Sequence, residues 1–105
     1  MISCVCVVQE GQTADLRRAA IQDAINSFCQ NSFHQSAELI WHVVPRGNGF
    51  TGGGNPSTSS VVALTLEEGI DQIKRERLLK ALSGLWCGWT DTSSDELVAV
   101  ISDPR

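Results

Sequence analysis

Cysteine and histidine are the residues here best equipped for metal, redox or nucleophilic chemistry, and the chain holds four of one and two of the other. Cys4 and Cys6 stand two apart in an apolar run with Val5, Val7 and Val8. That spacing turns both thiols to one face of a strand. Cys29 and Cys87 fall within or near the ends of helical stretches. No CxxC pair occurs, and His34 and His42 are not spaced to join a thiolate pair, so no metal site and no disulfide framework is expected. The thiols read as small buried hydrophobes, with a Cys4/Cys6 metal or redox pair as the alternative. The glycine-rich stretch at 46–60 has no GxGxxG spacing and no helix directly behind it, which removes the usual phosphate cradle. No cofactor is expected.

Composition narrows the partners. Eight Lys and Arg stand against twelve Asp and Glu, a net charge of -4, and neither sign forms a block. A nucleic-acid partner is not expected from such a chain. No apolar run approaches the ~18 residues of a membrane span, and no charged-then-apolar leader opens the sequence. A cytoplasmic protein without a membrane partner is the expectation. The hydrophobic fraction is 42% of 105 residues, enough for the core of one domain covering 1–105.

The elements that must position any site follow from breakers and periodicity. Residues 2–8 read as a strand ended by Glu10 and Gly11. Thr13 is placed as an N-cap with Asp15 in the first turn, and Leu16, Ala20, Ile21, Ala24, Ile25 and Phe28 recur at helical spacing behind it. Residues 38–44 form a second strand stopped by Pro45, and 61–66 a third after a loop carrying Gly52-Gly53-Gly54 and Asn55-Pro56. A helix is expected over 71–89, with Leu78, Ala81, Leu82, Leu85 and Trp89 as its apolar arc, and a last strand over 97–101. The order is βαββαβ.

The two halves repeat at an offset of 58 residues. Val8-Gln9-Glu10-Gly11 faces Leu66-Glu67-Glu68-Gly69, Phe28 faces Trp86, and Glu38-Leu39-Ile40 faces Glu96-Leu97-Val98. Each half, about 1–50 and 59–105, is thus the same β-α-β unit, and a parallel crossover is the default within it. The expected architecture is α/β (α+β): one four-stranded sheet with both helices on one face. Val5, Val7, Leu39, Trp41 and Val43 are assigned to the opposite sheet face, away from Cys4, Cys6, Ile40 and His42. A chain this short cannot cover both faces, so self-association is expected. A ferredoxin-like or ACT-type module shares the βαββαβ order, but it pairs strands antiparallel within each half and leaves the duplication unexplained.

Layout and local strings together resemble the tautomerase superfamily, in the branch of macrophage migration inhibitory factor and malonate semialdehyde decarboxylase. His42-Val43-Val44-Pro45 resembles the end of the migration factor's second strand. Phe50 before Gly52-Gly53-Gly54 resembles the loop found there and in 4-oxalocrotonate tautomerase. The run from Ser59 to Thr65, Leu82-Ser83-Gly84-Leu85, and Ser93-Ser94-Asp95 continue the similarity without gaps. The resemblance implies a homotrimer with sites at subunit boundaries. It also implies small-molecule proton transfer by an amino-terminal proline, acting as base when neutral and as acid when charged.

This sequence departs from that pattern where the chemistry sits. Met1 stands in the proline's place, and the bulky Ile2 resembles contexts that retain the methionine, leaving a primary amine. Gln12 occupies a substrate-binding arginine's position, and Gly69 and Asp71 fall near the decarboxylase's two arginines. Val98 and Val100 replace a tyrosine and an asparagine of the pocket, Glu38 lines it, and His34 stands for a lysine. The expected catalytic pair is Met1 and His34, and Glu38, Phe50, Val98 and Val100 are the expected substrate contacts. Glu67-Glu68 reads as a solvated turn, and Lys74 as an intruder in the apolar arc of the second helix. The function so implied is keto-enol isomerisation of a small keto or enol acid. The alternative is a non-catalytic trimer that binds a ligand or a protein partner.

Overall fold

The computed structural model describes residues 1–46, 48, 59–90 and 92–104. Strand β1 (Ile2–Gln9) is followed by a single helical turn, α1 (Thr13–Leu16), and by helix α2 (Arg18–Phe33). Strands β2 (Ala37–Val44) and β3 (Ser60–Thr65) come next, then helix α3 (Gln72–Trp89), a short 3-10 turn (Ser94–Glu96) and β4 (Leu97–Ser102). The sheet order is β2-β1-β3-β4. β1 runs parallel to β2 and β3 parallel to β4, as a helical crossover within each repeat requires. β1 and β3 pair antiparallel and join the halves. Val5 lies opposite Ala63, its own counterpart in the duplication, so the pseudo-twofold axis passes through the centre of the sheet.

Both helices pack on one sheet face. Ile2, Cys4, Cys6 and Val8 of β1, with Val62 and Leu64 of β3, are buried beneath Ile21, Ile25 and Cys29 of α2 and Leu82 and Trp86 of α3. Trp86, fully buried, stacks at 6.3 Å between ring centroids on Trp41 of β2. The apolar arc of α3 therefore centres on Leu78, Leu82 and Trp86, while Ala81 and Trp89 turn outward.

Three local expectations are corrected. Thr13 is the first helical residue, and Gln12 precedes it as a cap without a side-chain hydrogen bond. Asp15 instead ties the helix to the turn before it, its carboxylate accepting the Gly11 N–H at 2.8 Å. Gly11 has φ +79°, a conformation that glycine adopts without a Cβ penalty. The helical register also breaks at Arg17 (φ -107°, ψ 22°), which rotates Leu16 into solvent, 76% exposed. The third correction concerns β2. Its register sets Val5 beside Ile40 and Val7 beside His42, so Leu39, Trp41 and Val43 join the helix-covered face. The open face carries Val5, Val7, Ile40, Val61, Ala63, Val98 and Val100. Among the described residues, no helix is long and apolar enough to cross a membrane.

The three buried thiols form part of this core. Cys4 and Cys6 Sγ lie 3.6 Å apart, and that contact together with burial pushes the Cys4 thiol far up. Burial, with Cys4 nearby, pushes Cys29 up to about 12 from 9.0. A thiol whose folded value is raised contributes stability that is present below 9.0 and is lost as pH climbs towards about 12. Urea titrations from pH 8 upward are expected to show stability falling through that window, and Cys29→Ser should flatten the fall. Trp86→Ala is expected to cost ~3–5 kcal/mol in the same experiment, the range for emptying a buried aromatic site.

Candidate functional site

A cleft of about 230 Å³ opens at the end of the sheet where β1 and β2 begin and β3 stops. Its first wall is the exit of α2. His34 closes that helix in the left-handed conformation (φ 57°, ψ 32°), its N–H donating to the Gln30 carbonyl at 3.0 Å. The chain then reverses into β2. Asn26 Oδ1 accepts the Ala37 N–H at 2.9 Å, and the Ser36 carbonyl accepts the Ile2 N–H at 3.0 Å. These bonds hold His34 and Gln35 beside the start of β1.

The second wall is the loop from β3 to α3. The Leu66 N–H donates to the Ser102 carbonyl at 2.8 Å, and Asp103 Oδ2 accepts the Ile70 N–H at 3.1 Å. Asp103 is in turn paired with Arg75 at 2.6 Å, with both side chains largely buried. Asp71 caps α3 by accepting the Lys74 N–H at 2.8 Å. Glu67, Glu68 and Lys74 are thereby brought to the cleft. The Lys74 ammonium lies 5.7 Å from the Phe33 ring centroid, a cation–π distance, and makes no ion pair among the described residues.

The Met1 ammonium forms an ion pair with Glu67. The partnership follows from the central ladder: Ser3 faces Thr65, and two residues further out Met1 meets Glu67. Met1 and His34, the expected catalytic pair, thus come to one end of the protomer. The expected contacts do not join them within it. Glu38 pairs with Ser3, near the same end but on the open face, and Val98 and Val100 lie on the outer strand β4. Phe50 lies outside the described residues. Sequence reasoning missed Glu67 and Gln35. Only the pairing of β1 with β3 marks Glu67, and no sequence signal marks Gln35.

The duplication supplies a second, equivalent end, and hydroxyls fill it. Thr92 is the counterpart of His34 and Ser60 that of Ile2; their hydroxyl oxygens lie 3.2 Å apart, buried. The Thr90 hydroxyl donates to the Trp86 carbonyl at 2.9 Å and accepts the Thr92 N–H at 3.2 Å.

No family model and no curated protein matches the chain. Solved structures do match it. Native Ps01740 superposes with a TM-score of 0.83 at 17% identity, over 98% of this chain and 94% of that one. N1, a member of the cis-3-chloroacrylic acid dehalogenase family, gives 0.81 at 13%, over 98% and 75%. A fused 4-OT, solved as a symmetric trimer, gives 0.80 at 15%, over 98% and 85%. The fold is that of the tautomerase superfamily. At these identities the likeness is one of fold. In this chain the tautomerase fold presents Met1 where the superfamily resemblance implies a proline, with Glu67 bound to its nitrogen.

The backbone at His34 separates its two roles. A left-handed non-glycine residue costs on the order of 1 kcal/mol, which glycine avoids. His34→Gly is therefore expected to melt at or above the wild-type temperature and His34→Ala below His34→Gly, as read by thermal unfolding, while both remove the imidazole from the cleft.

Proposed function

We propose that this protein is a tautomerase-type catalyst that moves a proton between carbon and oxygen of a small keto or enol acid. The observation that carries the reading is the ion pair of the Met1 nitrogen with Glu67, which lines the cleft together with His34. A primary amine can relay a proton as proline's secondary amine does, although it lacks the ring that fixes the nitrogen. Here Glu67 supplies the fixation. It also stands ready to accept the proton that the ammonium must release before the nitrogen can act as a base. His34, at the cleft wall, is the donor for charge developing on the enolate oxygen.

The active form in this reading is a homotrimer. The apolar open face around Val5, Val7, Ile40, Val98 and Val100 supports it, because one protomer leaves that surface in water. A fused 4-OT of the same fold is a trimer. Glu38, Val98 and Val100 then reach a site from a neighbouring subunit, with Phe50 as a further contact. A specific observation also favours the second reading, a trimer that binds without turning over: the amine is already occupied by a carboxylate.

The deciding experiment follows ketonisation of phenylenolpyruvate and 2-hydroxymuconate continuously, with protein whose amino-terminal mass is verified. Turnover is expected, and acetylating the Met1 amine should reduce it by ~10²–10⁴-fold, the usual worth of a positioned acid or base. His34→Gly should lower turnover with the assembly intact. An intact trimer that gives no turnover above the solvent rate overturns the catalytic reading in favour of the binding one.

A further inference from the structure

The polar groups of the cleft include more acceptors than a plain keto acid can pair. Lys74 offers an ammonium without an ion pair among the described residues, suited to a carboxylate. Besides the His34 imidazole, two further polar groups of the cleft present acceptors. Glu68 lines the cleft and makes no ion pair or hydrogen bond among the described residues, and Gln35 contributes a buried Oε1 that no donor reaches. A buried acceptor without a donor is costly, so a ligand that brings one is favoured there. A keto acid presents oxygen acceptors only, and its enol a single O–H. An amino group presents two or three N–H donors and, when charged, answers the Glu68 carboxylate.

We infer that the cleft takes a small acid carrying an amino group beside its carboxylate, with the carboxylate on Lys74 and the N–H groups on Glu68 and Gln35 Oε1. The volume of about 230 Å³ suits such a molecule. Resting on the proton-transfer reading, the inference names the substrate class as a 2-enamino acid, in which nitrogen replaces the enol oxygen. The C2=C3 electron pair takes a proton from the Met1 ammonium to form the new C3–H bond, and the nitrogen lone pair closes C2=N. One N–H proton passes to Glu68 and returns through solvent to the Met1 amine. The product is the isomeric 2-imino acid.

Binding tests the inference without relying on turnover. Calorimetric titration of the assembled wild-type protein compares L-alanine and L-serine with pyruvate and lactate, which share the carboxylate and lack the amino group. The amino acids are expected to bind at least ~10-fold more tightly. Glu68→Gln should reduce that preference to below ~3-fold with lactate unaffected, whereas Lys74→Met should weaken every ligand. Thermal melts of both variants confirm that they fold. Pyruvate binding as tightly as L-alanine, or no binding by any of the four, overturns the inference. Ketonisation of phenylenolpyruvate without an amino-acid preference overturns it and leaves the proposed reaction standing. A preference for amino acids without ketonisation does the reverse.

Discussion

The antiparallel pairing of β1 with β3 is the constraint from which the rest of the molecule follows. Each β-α-β repeat alone would be a two-stranded parallel ribbon under one helix, with too little buried surface to stand by itself. Pairing the two first strands, with Val5 on Ala63, makes a four-stranded sheet with both helices over one face. The helix-covered side of both central strands then closes into a single core, in which Cys4, Cys6, Val62 and Leu64 are fully buried. The same ladder carries Met1 out to Glu67.

An exact duplication would give two equivalent ends, and divergence has made them different. At one end His34, Glu67, Glu68 and Lys74 surround open space; at the other, Ser60, Thr90 and Thr92 satisfy one another's hydrogen bonds below the surface. Short hydroxyl side chains can fill a small volume and pair within it. Long charged side chains cannot be buried cheaply and stay at the rim of a cavity. Among the described residues, the choice of side chain at equivalent positions thus sets the two ends apart.

The charges at the cleft end are unevenly paired. The terminal amine is paired with Glu67, Glu68 has no partner among the described residues, and the Lys74 ammonium rests on an aromatic ring rather than on a carboxylate. The wall that holds these groups is tied down by side-chain bonds. The Arg75–Asp103 ion pair and the Asp71 cap fix both ends of the loop after β3. Charges presented from a fixed loop act on a ligand without first having to be ordered.

The βαββαβ order, the repeat and the uncovered sheet face are legible in the chain's residues alone. These rest on local signals: breakers at Gly11 and Pro45, β-branched runs, helical periodicity, and an offset of 58 between matching strings. Met1 and His34, named through the resemblance of whole strings, lie at one end of the protomer. What the sequence reading misplaced depended on relations between segments. Alternation within β2 shows that Leu39, Trp41 and Val43 share a face, but only the register against β1 decides which face that is. Leu16 in solvent depends likewise on the break in helical register at Arg17. Glu67 looked like a turn residue because nothing local distinguishes it. Its meeting with Met1, 66 residues away, exists only once the central strands pair.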